Sequence, residues 1–190
     1  MTKSWNSEDE LRARLTFLSN RDAWELTDIL QMAHRRVKSK FGTEVEERLY
    51  PNYEDQKKFK LSFSNLLEFK EAQIYDKLID EEDYSVDNEN GEITFTESYA
   101  SDKLSESSRY RLVVRYIPVI FKDLELYFAM EEILSLNMVQ TNDEQQTNRF
   151  EQVRNAIRDI VKDVNRSMPL PDRESGKTLM ANRRRSHIHR

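Results

Sequence analysis

The sequence predicts an α+β fold: a helical bundle core with an inserted antiparallel β module and an extended C-terminal arm. Three observations support this prediction. Near both ends of the 190-residue chain, apolar residues recur every three or four positions, as on amphipathic helices. In the middle of the chain they alternate with polar residues, as on half-buried strands. The last 19 residues are poor in apolar side chains and have no period, which is typical of a segment that is disordered alone.

The first 50 residues are predicted to be helical. Ser7 and Glu10 match a capping box, in which each side chain accepts a hydrogen bond from a backbone N–H, and a short amphipathic helix should follow to about residue 20. A second helix is expected over about residues 22–41, and Gly42 is placed to end it in the left-handed conformation. Thr43 begins another capping-box pattern, which predicts a short third helix.

Residues 59–118 are predicted to form the β module. Alternation with period two starts at Phe59; residues 66–79 fit a helix as well, but we favour strands. Asn90-Gly91 predicts a type I′ hairpin turn, since both central residues of that turn need φ > 0. Further alternation ends at Pro118, which lacks an N–H for the sheet and is expected to lead into a helix.

Residues 119–167 are predicted to form two helices that pack with the N-terminal helices. The first has apolar residues around most of its circumference, so it should be buried on more than one side. Thr141 with Glu144 is a capping box for the second. In that helix, apolar residues from Phe150 to Val164 alternate spacings of three and four, which indicates a narrow packing seam. Residues 168–190 form the basic tail.

Composition limits the classes of function. The net charge is −5 and the isoelectric point about 5.4, so the chain as a whole is not a generic nucleic-acid binder. The absence of cysteine excludes disulfides, thiolate zinc sites and a cysteine nucleophile. We find neither a secretory signal nor an apolar run of roughly 20 residues. We therefore expect no membrane partner and a soluble protein that is used inside a cell, or is packed into a particle assembled there.

Few residues match a catalytic or ligand-binding pattern. Residues 174–178 (ESGKT) suggest a phosphate-binding loop, but Pro171 occupies the position of its first glycine and no strand precedes it. His187 and His189 are closely spaced without a further nearby ligand, and His34 is distant in sequence, so we expect no functional metal site. Neither a catalytic triad nor a carboxylate pair in an apolar frame is found. The sequence predicts no cofactor and no enzymatic activity.

Basic residues are concentrated at the C-terminus. Residues 172–190 contain six lysines and arginines and two acidic residues, a net charge of about +4, and the rest of the chain is correspondingly more acidic. Such a tail can bind DNA phosphates or an acidic protein surface, or it can serve only as a solubilising terminus. A second basic cluster, around Arg35 and Arg36, either stabilises the C-terminal end of its helix or contacts a phosphate or an acidic partner.

The organisation resembles the head-to-tail connector proteins of tailed viruses, the adaptors that lie beneath the portal ring. A helix pair over residues 7–41 leads, a β element interrupts, long helices over residues 120–166 follow, and an extended arm ends the chain. Residues 83–87 (DYSVD), 91–95 (GEITF) and 113–118 (VVRYIP) resemble a small β module of virion proteins.

This resemblance implies a structural protein of the virion. Its copies would form a ring, usually of twelve, docked on the portal protein by the C-terminal arm. The ring would also join the next neck or tail component, and DNA would pass through its lumen without sequence recognition. The alternative function is a nucleic-acid-binding regulatory protein that uses the basic tail.

Two sets of residues are candidates for these contacts. The tail set is expected to bind the portal or a neighbouring subunit and comprises Arg173, Lys177, Arg183, Arg184, Arg185, His187, His189 and Arg190. The helical set is expected to face a neighbouring subunit or the lumen and comprises Arg35, Arg36, Arg154, Arg158 and Lys162.

Overall fold

The protein has an α+β fold, as predicted. The computed structural model describes residues 4–15, 18, 22–50, 57–104, 112–141 and 144–168. Its α-helices are α1 (Glu8–Arg14), α2 (Ala23–Phe41), α3 (Glu97–Tyr99), α4 (Val119–Thr141) and α5 (Glu144–Ser167). Its strands are β1 (Val45–Leu49), β2 (Lys58–Lys60), β3 (Leu66–Ile74), β4 (Lys77–Leu78), β5 (Tyr84–Asp87), β6 (Glu92–Phe95) and β7 (Leu112–Pro118). A 3₁₀ turn precedes β5, and a π-helical turn follows α3.

The strands form two antiparallel sheets. The larger has the order β1-β7-β3-β4 and the smaller the order β2-β6-β5. Aromatic rings link the sheets: Phe69 of β3 lies 5.6 Å from Tyr84 of β5, and Tyr84 lies 6.1 Å from Phe95 of β6. The predicted alternation in the last strand is confirmed where the structure describes it, because Leu112, Val114, Tyr116 and Pro118 are buried while Arg115 between them is half-exposed.

Helix α4 is the centre of the helical part. It packs against α2 on one side and α5 on the other, and it also contacts β3 and β7. Its buried residues are distributed around the helix, from Phe121 and Leu124 to Ile133 and Leu134. The prediction of burial on more than one side is therefore confirmed. The predicted packing seam of α5 is also confirmed, because Val153, Ile157 and Val164 are buried.

The first two helices agree with the sequence except at their ends. The capping box is present: the Ser7 hydroxyl accepts from the Glu10 N–H, and the Glu10 carboxylate accepts from the Ser7 N–H. Helix α1, however, ends at Arg14 rather than near residue 20. Helix α2 ends at Phe41 as expected. Gly42, however, has φ +90° and ψ −177°, a conformation that is open to glycine but is not the predicted left-handed helical one.

The predicted third helix is wrong, because those residues form β1. In a strand, Val45, Glu47 and Leu49 all point to the buried side of the larger sheet. Pairing with β7, more than 60 residues away, outweighs the local capping-box pattern. The β module therefore begins before residue 50, and it includes residues that the sequence predicts to be part of the N-terminal helices.

The predicted hairpin exists, but its turn is different. Strands β5 and β6 pair from Tyr84↔Phe95 to Asp87↔Glu92, so four residues connect them. Only Gly91 of these has positive φ, at 63°, and Asn90 instead donates its backbone and side-chain N–H groups to the Asp87 carboxylate. The two-residue type I′ turn predicted at Asn90-Gly91 is therefore wrong.

One boundary in the C-terminal part differs from the prediction. Thr141 is the last residue of α4 and α5 begins at Glu144, later than a cap at Thr141 predicts. The strand prediction for residues 66–79 is confirmed by β3 and β4. Within the described ranges, no helix combines the length and the apolar character that a bilayer crossing requires.

Candidate functional site

Two residues of the predicted helical set meet across three helices. Arg36 of α2 and Arg154 of α5 both contact the carboxylate of Glu131 on α4, at 2.7 Å and 3.5 Å. The Arg36 guanidinium also lies 4.0 Å from the centre of the Phe128 ring. The side chain of Glu131 is only 17% exposed, so the two arginines neutralise a carboxylate at the edge of the core. Arg36 and Arg154 thus have a role within the chain, which ties α2 and α5 to α4.

The other three residues of the helical set do not join this ion bridge. Arg35 is exposed on α2. Arg158 donates to Asn155 at 3.0 Å, and Lys162 pairs with Asp159 at 3.2 Å, both within α5. Arg158 and Lys162 lie one and two turns beyond Arg154 and form a basic stripe along one side of α5. The eight residues of the tail set lie outside the described residues.

A buried carboxylate on α4, which the sequence analysis did not find, holds the N-terminal segment. Glu125 is fully buried. Its Oε1 accepts hydrogen bonds from the backbone N–H of Asn6 at 2.9 Å and from Asn6 Nδ2 at 3.0 Å. Its Oε2 accepts from the backbone N–H of Trp5 at 3.2 Å and lies 2.7 Å from Nδ1 of His34. The carboxylate therefore joins three separate parts of the chain.

Aromatic contacts complete this N-terminal clasp, which consists of Trp5, Asn6, His34 and Glu125. The Trp5 ring meets the His34 ring edge-on at 4.4 Å and lies 6.0 Å from the Phe121 ring. Asn6 Nδ2 also donates to the carbonyl oxygen of Lys122 at 2.7 Å. Several donors of the chain itself are thus directed at the buried Glu125 carboxylate, as burial of a charged group requires.

A second buried carboxylate connects β1 to its surroundings. Glu47 accepts a hydrogen bond from the Tyr116 hydroxyl of β7 at 2.5 Å and two from Ser62, through its N–H at 3.0 Å and its hydroxyl at 2.6 Å. Burial, together with the charge of Glu47, raises the pKa of Tyr116 well above its usual range. The phenol therefore stays protonated and remains a hydrogen-bond donor to Glu47.

A groove lies between an edge of each sheet. It has a volume of about 230 Å³ and is bounded by the C-terminal end of β1 and the length of β2. Its lining consists of Glu47, Arg48, Leu49, Tyr50, Lys58, Phe59 and Lys60. Drug-sized ligands usually occupy pockets of roughly 300–1,000 Å³, so this groove suits one or two side chains better than a cofactor. Among the described residues, no group of three or more His, Cys, Asp or Glu side chains could hold a metal ion.

A weak signal for both buried carboxylates is present in the sequence. Glu125 lies four residues after Phe121 and three before Phe128, on the apolar face of its helix. Glu47 alternates with Val45 and Leu49, which indicates an inward position once the segment is treated as a strand. Their partners are 15 to 120 residues away and could not be found by spacing.

Comparison with known proteins identifies no relative. No protein-family model matches the chain, and no curated protein matches it. The function must therefore be argued from the sequence and the geometry alone.

Proposed function

We propose that the protein is a non-catalytic structural subunit of a virion, a head-to-tail connector that binds the portal protein through its basic C-terminal tail. The observation that carries the proposal is the contrast between the two parts of the chain. The body is acidic and devotes its buried ionisable groups to its own fold, whereas residues 172–190 have a net charge of about +4.

The use of the buried carboxylates favours a structural role over an enzymatic one. Glu125 and Glu47 are the kind of group that an acid–base catalyst would need. Both, however, accept hydrogen bonds from donors of their own chain. Among the described residues, the groove that Glu47 lines has a volume of about 230 Å³, below the range of roughly 300–1,000 Å³ that is usual for ligand pockets. The effect of the two carboxylates is to fix the N-terminal segment and the edge strand β1 to the body.

The helical part is suited to carrying a terminal arm. Helix α5 packs along α4 and ends at Ser167, and the basic tail follows directly. The Arg36–Glu131–Arg154 bridge connects α5 through α4 to α2. The start of the tail is therefore attached, through α5, to both α4 and α2. An arm that gains order by lying in grooves of a preassembled ring is a known mode of recognition.

The alternative, a nucleic-acid-binding regulator, has less support. Of its cationic residues outside the tail, Arg36 contacts Glu131 and Phe128 of its own chain. The cationic residues that remain for contact with nucleic acid are Arg35, the basic stripe on α5 and those of the tail. DNA binding by these residues would weaken steeply as salt is raised. Association with a portal ring would also depend on salt, so binding to each partner has to be measured separately.

The test of the proposal is deletion of residues 172–190. We expect the full chain to bind the portal protein of the same virus and the shortened chain to lose that binding by at least about tenfold, because the basic contacts are gone. Binding would be measured by sedimentation of mixtures with assembled portal rings. A matched variant, Lys70→Glu/Lys103→Glu, removes the same amount of positive charge at exposed positions outside both candidate sets and should retain binding.

Two results would contradict the connector role. One is normal portal binding without the tail. The other is a full chain that ignores portal rings but binds duplex DNA with a steep salt dependence, which would favour the regulator. Circular dichroism of the shortened chain controls for loss of the fold.

A further inference from the structure

The two edges of the larger sheet have complementary surfaces. At one edge, the turn between β3 and β4 exposes Tyr75 and Leu78, which are 56% and 66% exposed. We call these two residues the knob. At the other edge lies the groove between β1 and β2, whose lining is mostly polar. Tyr50, which is 66% exposed, is the main apolar side chain that it presents, because Leu49 and Phe59 are each only 5% exposed.

The knob and the groove lie at opposite ends of the same cross-strand rows. In one row, Arg48 of β1 pairs with Val113, Val113 with Gln73, and Gln73 with Leu78. The next row runs from Leu49 through β7 and β3 to Lys77. Neighbouring strands are about 4.8 Å apart, so the two surfaces are separated by roughly 14 Å across the sheet and face in opposite directions.

The charges beside the two surfaces are opposite. The knob is followed by Asp80, Glu81 and Glu82, which are all exposed. The groove carries Arg48, Lys58 and Lys60. Lys58 is paired with Glu92 at 2.6 Å, and the Arg48 guanidinium lies 5.5 Å from the centre of the Tyr50 ring. Glu47, the carboxylate among the lining residues, already accepts hydrogen bonds from Tyr116 and Ser62. An acidic edge with an apolar tip is thus opposed by a basic edge that exposes Tyr50.

The turn that joins β3 to β4 presents the tyrosine of the knob. Tyr75 and Asp76 are its two residues, with φ 49° and 62°, and a type I′ hairpin turn has such positive φ at both central residues. Aspartate adopts this left-handed region more readily than most residues, whereas a bulky aromatic residue there is uncommon. The Tyr75 side chain is 56% exposed at the tip of this hairpin.

From these observations we propose that the knob of one copy of this chain inserts into the groove of the next copy. The contact is heterologous, because two different surfaces meet, and it can therefore continue from copy to copy into a ring or a filament. It is made by side chains rather than by strand addition, since β4 has only two residues. This contact stands on the fold alone and does not depend on the connector role.

Self-association of the full chain tests the proposal. The contact is smaller than a standard protein interface, so we expect the weight-average mass to rise above 22.7 kDa between about 10 μM and about 500 μM. Leu78→Glu and Lys60→Glu should each weaken this association by at least about tenfold. Met32→Glu and Lys70→Glu place the same changes on other exposed positions, on α2 and β3, and should leave it unchanged.

Mixing the two disruptive variants gives the sharper result. The Lys60→Glu variant keeps an intact knob and the Leu78→Glu variant keeps an intact groove. A heterologous contact therefore predicts a discrete one-to-one dimer in the mixture that cannot grow further, although each variant alone is monomeric. Sedimentation equilibrium would measure the mass, and thermal unfolding would confirm that both variants are folded.

Three outcomes would overturn this inference. One is a full chain that stays monomeric over the whole concentration range. The others are association that survives both substitutions, and a mixture that stays monomeric. The connector role is tested separately by portal binding of the full chain and of the chain without residues 172–190, so failure of this contact and failure of that role can be told apart.

Discussion

At the scale of single residues, the fold depends on a few carboxylates that connect distant parts of the chain. Glu125 contacts residues 91 and 119 positions away, and Glu47 contacts Tyr116 at a separation of 69. Each replaces hydrogen bonds to water with several within the protein, which makes burial of the charge tolerable. Removing such a carboxylate leaves its donors unpaired in the interior, a larger cost than losing one surface ion pair.

Substituting Glu125 tests the N-terminal clasp. We predict that Glu125→Ala lowers the free energy of unfolding by about 3–5 kcal/mol, because His34 and the N–H groups of Trp5 and Asn6 lose their acceptor. Chemical denaturation followed by circular dichroism would measure the loss. Glu132→Ala, on the same helix but half-exposed, should cost less than about 1 kcal/mol. Equal effects of the two substitutions would show that the clasp contributes little.

The helix boundaries at the N-terminus also depend on one carboxylate. Glu10 accepts hydrogen bonds from Lys122 at 2.6 Å and from the Ser7 N–H at 2.8 Å, and these contacts hold its pKa below the usual range. A lowered pKa contributes stability that is present above the pKa of the unfolded chain and is lost as pH falls through that of the folded one.

This linkage predicts a pH dependence. Relative to the full chain, Glu10→Gln should be less stable at pH 7 by less than about 1 kcal/mol, a small amount because the side chain is partly exposed. The difference should shrink as pH falls below about 4.5, where Glu10 of the unfolded chain takes up a proton, and it should be lost once pH falls below the lower pKa of the folded state. Unfolding curves at pH 7, 5 and 3 would test this, and a difference that grew at acidic pH would contradict it.

At the scale of elements, prediction from sequence succeeded where the signal is local and failed where pairing is distant. Helices α2, α4 and α5 follow from the spacing of apolar residues, because a helix satisfies its own backbone. Strand β1 was predicted as a helix, since Thr43 and Glu46 imitate a capping box and the partner strand is far away. The buried acceptors Glu47 and Glu125 escaped prediction for the same reason.

The glycine of the β5–β6 connection illustrates a constraint that no local pattern contains. A Cβ at Gly91 would lie 2.1 Å from the carbonyl oxygen of Phe63 and 2.9 Å from Cα of Ser64, both backbone atoms of the β2–β3 connection. The Leu61 N–H donates to the Gly91 carbonyl at 2.8 Å in the same contact. Gly91 is therefore required by a close approach of two loops as well as by its positive φ.

Two alanine substitutions separate these requirements. Gly42→Ala meets no atom closer than 3.4 Å, so it should cost only the backbone strain of φ +90°, about 1–3 kcal/mol. Gly91→Ala adds the clash with Phe63 and should cost more than Gly42→Ala, about 3 kcal/mol or more. Thermal unfolding of both variants measures the order. If Gly42→Ala were the more damaging, the contact between the two loops would not constrain the fold as described.

At the scale of the whole molecule, the two ends of the chain are assigned different roles. The N-terminal segment is held on its own body by the clasp of Trp5, Asn6, His34 and Glu125. The C-terminal tail is proposed to act on a different molecule. The sequence analysis predicted the tail from charge, whereas the clasp became evident only from the fold, because its four residues are scattered over 120 positions.

Deleting the N-terminal segment should therefore destabilise the fold, whereas deleting the C-terminal tail should leave its stability almost unchanged. Loss of residues 1–7 removes the Trp5 ring contacts, the Asn6 hydrogen bonds and the Ser7 cap, and should lower the free energy of unfolding by about 3 kcal/mol or more. Loss of residues 172–190 leaves every described element in place, and stability should change by less than about 0.5 kcal/mol. If both deletions proved equally damaging, the tail would have to pack on its own body. It could not then be the arm that reaches a portal, even where its removal abolished portal binding.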